Sequence, residues 1–345
     1  MTTTPVSLQV AWLNVNHVCN FRCPWCYAAG TNYVPDDDMS IETAKRISSI
    51  LYEAGVRSFT IIGGEPSLWP HLMEFNDVCR ELGVETGLVT NGSRFGSDKF
   101  WKAYLRSPCD NVGLSIKVGT IEQFKSIAGK VSFNTTKKGL ARAIAYHNAG
   151  VSTVYSTFVE NSLLDVARFA RQCGSTDLKL EFCSAVFNNG KASSSYMVGH
   201  QMLADNIIRD YPELMDIMGG KVTIDMSTPF CLWPEDFLQE LVDEGRITSV
   251  CNVYKRTGVI IDGEGRIMVC NGLFDYPIGQ VDQDFDDAAT LIAFLNSHEV
   301  TDYYQQLTRM PSPFCAECKW YSACGGGCPL NWAVNRPEDI VRPRK

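Results

Sequence analysis

The sequence predicts an α/β protein built around a parallel sheet. Through its first 185 residues, short apolar runs alternate with segments of helical periodicity, and the connections between them are short. Six of the runs are rich in the apolar residues that are typical of buried parallel strands. These runs are residues 7–15, 56–62, 84–89, 112–116, 151–159 and 178–182. Such units form either an open doubly wound sheet or part of a barrel, and both architectures place the reactive site at the carboxyl ends of the strands.

The helices between these runs carry recognisable start and stop signals. Between the first two runs, Ser40 is a suitable N-cap and Gly55 follows the last turn. Residues 202–218 and 234–244 predict two further helices. We interpret the stretch that contains them as a helical bridge, and the region after it as a part with few helical signals and many cysteines. The expected division is into residues 1–190, 191–249 and 250–345.

The composition is that of an ordinary globular protein except for 14 cysteines in 345 residues. Apolar residues make up 45% and charged residues 20%, which excludes wholesale disorder. A net charge of −8 argues against a general nucleic-acid binder, and no apolar stretch approaches the roughly 18 residues that a membrane span needs. The N-terminus lacks the pattern of a signal peptide, so we expect a cytoplasmic protein that uses its cysteines for metal rather than for disulfides.

The first cysteine motif follows the first predicted strand. Cys19, Cys23 and Cys26 form a C-x3-C-x2-C array, a spacing that chance would produce roughly 0.02 times in a chain of this composition. Three thiolates on one loop can hold three irons of a 4Fe–4S cluster and leave the fourth iron open to another ligand. The alternative is a structural zinc ion, which requires a fourth ligand such as His17.

A second motif, Gly63-Gly64-Glu65-Pro66, ends the second predicted strand. Its glycines permit a close approach of two backbones, and its carboxylate can pair with an ammonium group. Together with residues 19–26, in which the aromatic Trp25 precedes the last cysteine, this motif resembles the radical S-adenosylmethionine (SAM) superfamily.

The resemblance implies a partial (β/α)6 barrel of the TIM type in which a 4Fe–4S cluster binds SAM through its open iron. Residues 63–66 would hold the methionine amino group, and Trp25, Asn91 and Ser115 would lie at the SAM site. Many relatives carry an acidic residue where this chain has Lys117. In the family, an electron from a reductase, a flavodoxin or a ferredoxin leads to cleavage of SAM and to a 5′-deoxyadenosyl radical, which abstracts hydrogen from a substrate C–H bond.

A second group of cysteines lies near the C-terminus. A C-x2-C-x5-C-x3-C array is preceded by two more cysteines that are separated by eighteen residues. These six are Cys251, Cys270, Cys315, Cys318, Cys324 and Cys328. The arrangement resembles the SPASM domain, a C-terminal extension of radical SAM enzymes that holds auxiliary iron–sulfur clusters. The family pattern continues to one further cysteine, and the printed chain stops one residue short of that position.

The resemblance implies two auxiliary 4Fe–4S clusters, each with three of these cysteines. The first set would be Cys251, Cys270 and Cys328, and the second Cys315, Cys318 and Cys324. As fourth ligands we expect Cys231 for the first set, and a carboxylate such as Asp339, water or substrate for the second. A single auxiliary cluster, as in the shortened twitch version of the domain, and a structural zinc site remain alternatives.

The remaining cysteines divide into two kinds. Cys79, Cys109 and Cys173 lie in or beside predicted helices and are expected to be buried packing residues. Cys183 follows the sixth predicted strand near the expected reactive site, where a thiol could donate a hydrogen atom to a substrate radical.

These features predict a radical SAM enzyme whose substrate is a ribosomally made precursor peptide, modified by crosslinking, oxidation, epimerisation or backbone cleavage. Because the first strand begins near the N-terminus, we expect leader recognition to come from a separate partner protein. The alternative is a small metabolite, such as an aminocyclitol or amino sugar, that is dehydrogenated or epimerised. A metal-binding module without catalysis is the alternative from another class.

Overall fold

A single large sheet organises the molecule. The structure, a computed structural model, describes residues 6–28, 38–188 and 190–343, and within these ranges eleven strands form one sheet. In chain order these strands are β1 (Val10–Asn14), β2 (Ser58–Ile62), β3 (Glu85–Thr90), β4 (Asn111–Ser115), β5 (Gly150–Tyr155), β6 (Leu178–Phe182), β9 (Val222–Asp225), β10 (Ile247–Thr248), β11 (Gly258–Asp262), β12 (Arg266–Met268) and β13 (Gly279–Gln280). Their order across the sheet is β10-β9-β6-β5-β4-β3-β2-β1-β11-β12-β13. A separate hairpin pairs β7 (Val186–Asn188) with β8 (Lys191–Ser193).

The order of the first six strands distinguishes between the two predicted architectures. β1 to β6 are parallel neighbours in sequence order, whereas a doubly wound sheet reverses its order at a switch point. The α/β class, the six strands and the barrel-type winding are therefore confirmed.

Helices connect the strands and cover the sheet. The helices of the strand-rich part are α1 (Ile41–Glu53), α2 (Leu72–Leu82), α3 (Asp98–Tyr104), α4 (Ile121–Ile127), α5 (Phe133–His147) and α6 (Leu163–Gln172). Those that follow are α7 (His200–Met218), α8 (Glu235–Asp243), α9 (Asn252–Lys255), α10 (Ala288–Leu295), α11 (His298–Leu307), α12 (Tyr321–Cys324) and α13 (Pro337–Ile340). The predicted cap is present, because the side chain of Ser40 accepts a hydrogen bond from the backbone N–H of Thr43. No helix in the described ranges is both long and apolar enough to cross a membrane.

The sheet extends beyond the six predicted strands on both sides. The stretch expected to be a helical bridge contains α7 and α8, as predicted, but also β9 and β10, which continue the parallel sheet beyond β6. On the other side β11 pairs in parallel with β1, and α10 and α11 lie in a region where few helical signals were found. β9 and β10 are four and two residues long, too short to show a period in the sequence. The division into three parts stays a prediction.

The two faces of β6 show how the sheet separates its core from a polar interior. Leu178, Leu180 and Phe182 are buried in the main hydrophobic core, whereas the alternate residues Lys179 and Glu181 are only partly buried. Successive side chains of a strand point to opposite faces. The face that carries Lys179 and Glu181 is therefore available for polar contacts.

Candidate cofactor and metal sites

The three cysteines of the first motif lie together on the loop after β1. Burial raises the pKa of the Cys19 thiol to about 12, and the neighbouring anionic forms of Glu65, Cys26 and Cys23 contribute in the same direction. The sulfur of Cys19 also accepts a hydrogen bond from the backbone N–H of Phe21, at 3.4 Å. The loop thus brings three thiols close enough to influence one another, as a shared cluster requires.

The two glycines of the second motif let this loop pack against the end of β2. A Cβ atom on Gly63 would lie 2.4 Å from the carbonyl oxygen of Asn16, and one on Gly64 would lie 2.3 Å from that of His17. The backbone N–H of Gly64 donates to the carbonyl of Asn16 at 2.7 Å. The close backbone approach that the sequence suggested is present, and its partner is the cysteine loop itself.

Glu65 joins the ends of β2 and β3. It is 1% exposed, and its Oε1 accepts hydrogen bonds from the Thr90 hydroxyl at 2.5 Å and from the N–H of Ser67 at 3.1 Å. Its Oε2 accepts the backbone N–H of Asn91 at 2.8 Å. Because a carboxylate offers about two acceptor sites on each oxygen, Oε2 can take one more donor, such as an ammonium group.

Asn91 ties the cysteine loop to the end of β3. Its side-chain amide donates to Oδ1 of Asn20, in the cysteine loop, at 2.9 Å, and Asn20 in turn donates to the hydroxyl of Ser93 at 2.8 Å. The positions of the loop, β2 and β3 are therefore fixed together by hydrogen bonds. The role of Asn91 in SAM binding stays a prediction.

Ser115 and Lys117 form a second polar contact near the loop. Ser115 ends β4, and its hydroxyl accepts a hydrogen bond from the ammonium of Lys117 at 2.5 Å. The positive charge of Lys117 opposes the rise in the pKa of Cys23 that burial causes. This lysine, which departs from the family pattern, therefore lies close to the cysteine loop and engages the residue expected to contact SAM.

Trp25 is buried rather than open to solvent. Its ring lies 5.0 Å, centroid to centroid, from that of Phe158, which follows β5. The contact holds the cysteine loop against the opposite part of the barrel. Its role in cofactor binding stays a prediction.

A zinc ion and a 4Fe–4S cluster require different arrangements of their ligands. Within the described residues, no group of three or more His, Cys, Asp or Glu side chains is arranged to hold one metal ion. His17, the expected fourth zinc ligand, packs edge-on against Phe274 with 4.8 Å between ring centroids. A zinc ion needs four ligands on one point, whereas a 4Fe–4S cluster binds each cysteine through a different iron. Cys19, Cys23 and Cys26, three free thiols on one loop, match the cysteine ligands that such a cluster needs.

The C-terminal cysteines separate into two groups. Cys251, Cys270 and Cys328, here called the three-thiol set, influence one another, since the pKa of Cys270 is raised to about 12 by burial first and then by Cys328 and Cys251. Tyr27 connects this set to the cysteine loop. After burial, the causes that raise its pKa are Cys26, Cys19 and Cys270.

The second group has four members, here called the four-thiol set. Cys231, Cys315, Cys318 and Cys324 line one cavity. This corrects the expectation that Cys231 is the fourth ligand of the three-thiol set. Its place is determined by the turn after β9, where the backbone N–H of the adjacent Phe230 donates to the sulfur of Cys324 at 3.3 Å.

Asp339 was the other candidate ligand, and the structure does not place it in this cavity. Its carboxylate pairs with Arg336 at 3.1 Å on the surface of α13. The residues that line the cavity of the four-thiol set come instead from positions 229–231, 314–326 and 341–342.

Four cysteines lie outside the cysteine loop and both thiol sets. Cys79, Cys109 and Cys173 are at most 3% exposed and belong to the hydrophobic core, which confirms them as packing residues. Cys183 is partly buried, and burial raises its pKa to about 11. It therefore keeps its proton near neutral pH, as a hydrogen-atom donor must. That role stays a prediction.

A row of charged side chains was missed at the sequence level. Lys179, Glu181 and Asp225, here called the charged row, lie on neighbouring strands β6 and β9, with Lys179 Nζ 2.8 Å from Asp225 and 3.8 Å from Glu181. The pKa of Cys251 is raised, mainly by burial. The negative charge of Asp225 adds to this rise, whereas hydrogen bonds from backbone N–H groups oppose it. The row therefore extends towards the three-thiol set. The alternation Leu-Lys-Leu-Glu-Phe in β6 was the available signal.

Comparison with known sequences finds similarity to one family in the N-terminal part of the chain. The model of the radical SAM superfamily matches residues 13–170. A probable GTP 3′,8-cyclase of Thermococcus kodakarensis is 23% identical over 47% of this chain and 53% of its own length. The GTP 3′,8-cyclase of Mannheimia succiniciproducens is 26% identical over 57% of this chain and 60% of its own. The chain thus spans little more than half the length of these curated relatives.

Comparison with solved structures covers nearly the whole chain. The structure of anSMEcpe with bound AdoMet superposes with a TM-score of 0.67 at 19% identity, over 93% of this chain and 89% of that one. Streptococcus suis SuiB, bound to its precursor peptide SuiA, gives a TM-score of 0.71 at 16% identity, over 96% and 74% of the two chains. At these identities the likeness concerns the fold. Over residues 13–170 the family model, the fold and the cysteine loop agree with the radical SAM superfamily, whose members bind a 4Fe–4S cluster and SAM.

Proposed function

We propose that this radical SAM enzyme modifies a ribosomally synthesised precursor peptide. When bound, the cluster and SAM supply one chemistry: one electron and SAM give methionine and a 5′-deoxyadenosyl radical, which takes a hydrogen atom from a substrate C–H bond and becomes 5′-deoxyadenosine. The substrate radical then has two routes. An auxiliary cluster, when bound, would supply an electron acceptor for the substrate radical, which would also release a proton to solvent and give an oxidised or crosslinked product. Alternatively, Cys183 would donate a hydrogen atom and give an epimer, and the resulting thiyl radical would regain an electron from the external reductase and a proton from solvent.

The roles of this chain's residues follow from their contacts. Cys19, Cys23 and Cys26 hold the SAM cluster, and the free acceptor site on Oε2 of Glu65 receives the methionine ammonium group. Ser115 would contact SAM when it binds, and Lys117 orients the Ser115 hydroxyl through a hydrogen bond. Because the carboxylate of Glu65 is already oriented by its hydrogen bonds, binding SAM requires little rearrangement there.

The observation that carries the peptide proposal is the extent of the structural likeness. It covers 96% of this chain in the comparison with SuiB bound to SuiA, and 93% in the comparison with anSMEcpe bound to the Cp18Cys peptide. It therefore includes the C-terminal part that carries both thiol sets. The similarity to the GTP 3′,8-cyclases, in contrast, covers 47% and 57% of this chain.

The charged row supports a substrate of mixed charge. Lys179 faces two carboxylates, those of Glu181 and Asp225, so this part of the interior has no excess of positive charge. A nucleoside triphosphate is strongly anionic and would be repelled by these carboxylates. The polar backbone and side chains of a peptide can pair with groups of both signs.

The sequence similarity to GTP 3′,8-cyclases favours a small molecule as the second candidate. A nucleotide, or a small metabolite such as an aminocyclitol or amino sugar, would then occupy the space beside the charged row. In that case the auxiliary clusters would accept electrons from the small molecule.

Binding measurements separate these candidates. Precursor peptides encoded beside this chain's gene are titrated into the anaerobically reconstituted protein, with and without a small leader-binding partner protein, and GTP and an aminocyclitol are titrated in parallel. We expect saturable peptide binding, strengthened by the partner, and no saturation by GTP. If no peptide binds with or without the partner protein, and GTP or the aminocyclitol binds saturably, the peptide proposal is wrong.

A further inference from the structure

The four-thiol set includes a cysteine that lies far from the others in sequence. Cys315, Cys318 and Cys324 come from one C-terminal segment, whereas Cys231 comes from the turn between β9 and α8. All four line the same cavity. The cavity is small and apolar at its edges, with Phe314 among its walls. The position of Cys231 beside three other thiols indicates a metal ligand rather than a packing residue.

The thiols influence one another as closely spaced groups do. Burial comes first among the causes that raise the pKa of Cys315, and Cys231 and Cys318 add to it. The pKa of Cys324 is raised to about 11, again with burial first and with Cys231 and Cys315 adding to it. Cys231 therefore acts on both Cys315 and Cys324. The main causes that shift the pKa values of Cys251, Cys270 and Cys328, the members of the three-thiol set, do not include Cys231.

Backbone N–H groups point at two of the four sulfurs. The N–H of Phe230 donates to Cys324 Sγ at 3.3 Å, and that of Arg342 donates to Cys231 Sγ at 3.4 Å. Such donors stabilise the negative charge that a thiolate carries when it binds iron. The segment that contains Arg342 therefore packs against Cys231, and the site has backbone hydrogen-bond donors from two different segments.

The chain between Cys324 and Cys328 explains why these neighbours serve different sets. Gly325, Gly326 and Gly327 have φ of 60°, 87° and 84°, a left-handed conformation that favours glycine. The hydroxyl of Tyr254 donates to the carbonyls of Gly325 at 2.8 Å and Gly327 at 3.2 Å and so fixes the turn. The reversal lets Cys324 face the four-thiol set while Cys328 faces the three-thiol set.

We propose that Cys231, Cys315, Cys318 and Cys324 ligate one auxiliary 4Fe–4S cluster, with Cys231 as its fourth protein ligand. Each iron of this cluster then has a thiolate, so the cluster transfers electrons and offers no open position to a substrate. The three-thiol set, which has one cysteine fewer, differs in this respect. The assignment concerns the metal site alone and does not depend on the identity of the substrate.

The test measures metal content and spectra rather than turnover. Cys231→Ala, Cys318→Ala and the control Cys109→Ala, which removes a buried cysteine outside both sets, are reconstituted anaerobically with iron and sulfide. We expect Cys231→Ala and Cys318→Ala each to lose up to roughly four irons per chain, one cluster's worth, together with the same signal in the electron paramagnetic resonance spectrum of the reduced protein. The double variant should lose no more than either single variant, and Cys109→Ala should match the wild type.

A variant that lacks two cysteines of the three-thiol set shows to which set Cys231 belongs. In a protein that already carries Cys251→Ala and Cys270→Ala, the further change Cys231→Ala should still remove one cluster signal. If iron content there no longer depends on Cys231, or if Cys231→Ala keeps the wild-type iron content and spectrum while Cys318→Ala does not, the assignment is wrong. Stoichiometric zinc in the wild type after anaerobic purification, lost on Cys231→Ala, would equally overturn it. If Cys231→Ala lowers the melting temperature of the metal-free protein, Cys231→Ser, which keeps the volume, takes its place in every comparison.

Discussion

Oε2 of Glu65 accepts the backbone N–H of Asn91 at 2.8 Å and so links the turn after β2 to the end of β3. The other carboxylate oxygen, Oε1, is occupied by Thr90 and Ser67. The carboxylate thus receives donors on both oxygens, in a site that is almost closed to solvent. A single acidic side chain therefore holds together the part of the barrel in which SAM is expected to bind.

Glu65→Gln should weaken both the fold and SAM binding. The amide nitrogen would face N–H and O–H groups that now donate to the carboxylate, and an unsatisfied buried donor costs about 1–3 kcal/mol. We expect the free energy of unfolding of the metal-free protein, measured in urea, to fall by about that amount, and the SAM affinity of the reconstituted protein to fall as well. The matched control is Glu122→Gln on the exposed first turn of α4. Equal stability of both variants would contradict the role assigned to Glu65.

Gly64→Ala should displace the cysteine loop. The added Cβ would lie 2.3 Å from the carbonyl oxygen of His17, a backbone atom that cannot rotate away. Overpacking of this kind costs about 1–3 kcal/mol, and the loop that shifts carries Cys19. We expect reduced iron incorporation at the first cluster, measured in a background that lacks the C-terminal cysteines. Gly150→Ala, at a glycine with no atom near the added Cβ, should incorporate iron normally, and an equal result for both would show that the close approach is unimportant.

Cys324→Ala should separate SAM cleavage from product formation. The first cluster, held by the loop after β1, does not use this thiol, so SAM should still be cleaved to 5′-deoxyadenosine without substrate. Formation of an oxidised or crosslinked product should fall to background, because the substrate radical has lost an electron acceptor. Both compounds are quantified by mass spectrometry in one reaction. Product at the wild-type rate would mean that the cluster of the four-thiol set has no catalytic role.

Asp225→Asn should impair substrate binding more than SAM cleavage. Lys179 lies 2.8 Å from Asp225, its closest carboxylate. The substitution removes this partner and leaves Glu181 as the other carboxylate of the charged row near Lys179, so a cationic group of the substrate loses an anion to pair with. We expect the KM for the substrate to rise about tenfold, equivalent to about 1.4 kcal/mol, with little change in cleavage of SAM alone. Asp216→Asn, at an exposed position of α7, is the control. A lower kcat at unchanged KM would point instead to a chemical role for Asp225.

The sequence could predict what is encoded locally. The spacing of Cys19, Cys23 and Cys26 lies within eight residues, and the apolar runs of β1 to β6 are each long enough to show their character. The turn at Gly63 and Gly64 could be predicted for the same reason, although its partner, the backbone at Asn16 and His17, could not.

Features that depend on contacts between segments far apart in the sequence were predicted poorly. Cys231 is 84 residues from Cys315 in the chain, and tertiary contacts such as the hydrogen bond from the N–H of Phe230 to the sulfur of Cys324 place it beside the C-terminal cysteines. The charged row is a similar case, because Lys179 and Asp225 become neighbours through a strand of four residues that has no clear pattern. Tertiary contacts, rather than local preference, decide both.

The central claim is that the loop after β1 holds the cluster at which SAM is cleaved. Its most direct test is anaerobic incubation of the reconstituted protein with dithionite and SAM, followed by measurement of 5′-deoxyadenosine. The account predicts that the wild-type protein forms 5′-deoxyadenosine and that Cys23→Ala, with its C-terminal clusters intact, forms none. Absence of 5′-deoxyadenosine from iron-loaded wild-type protein, or equal amounts from Cys23→Ala, would contradict it.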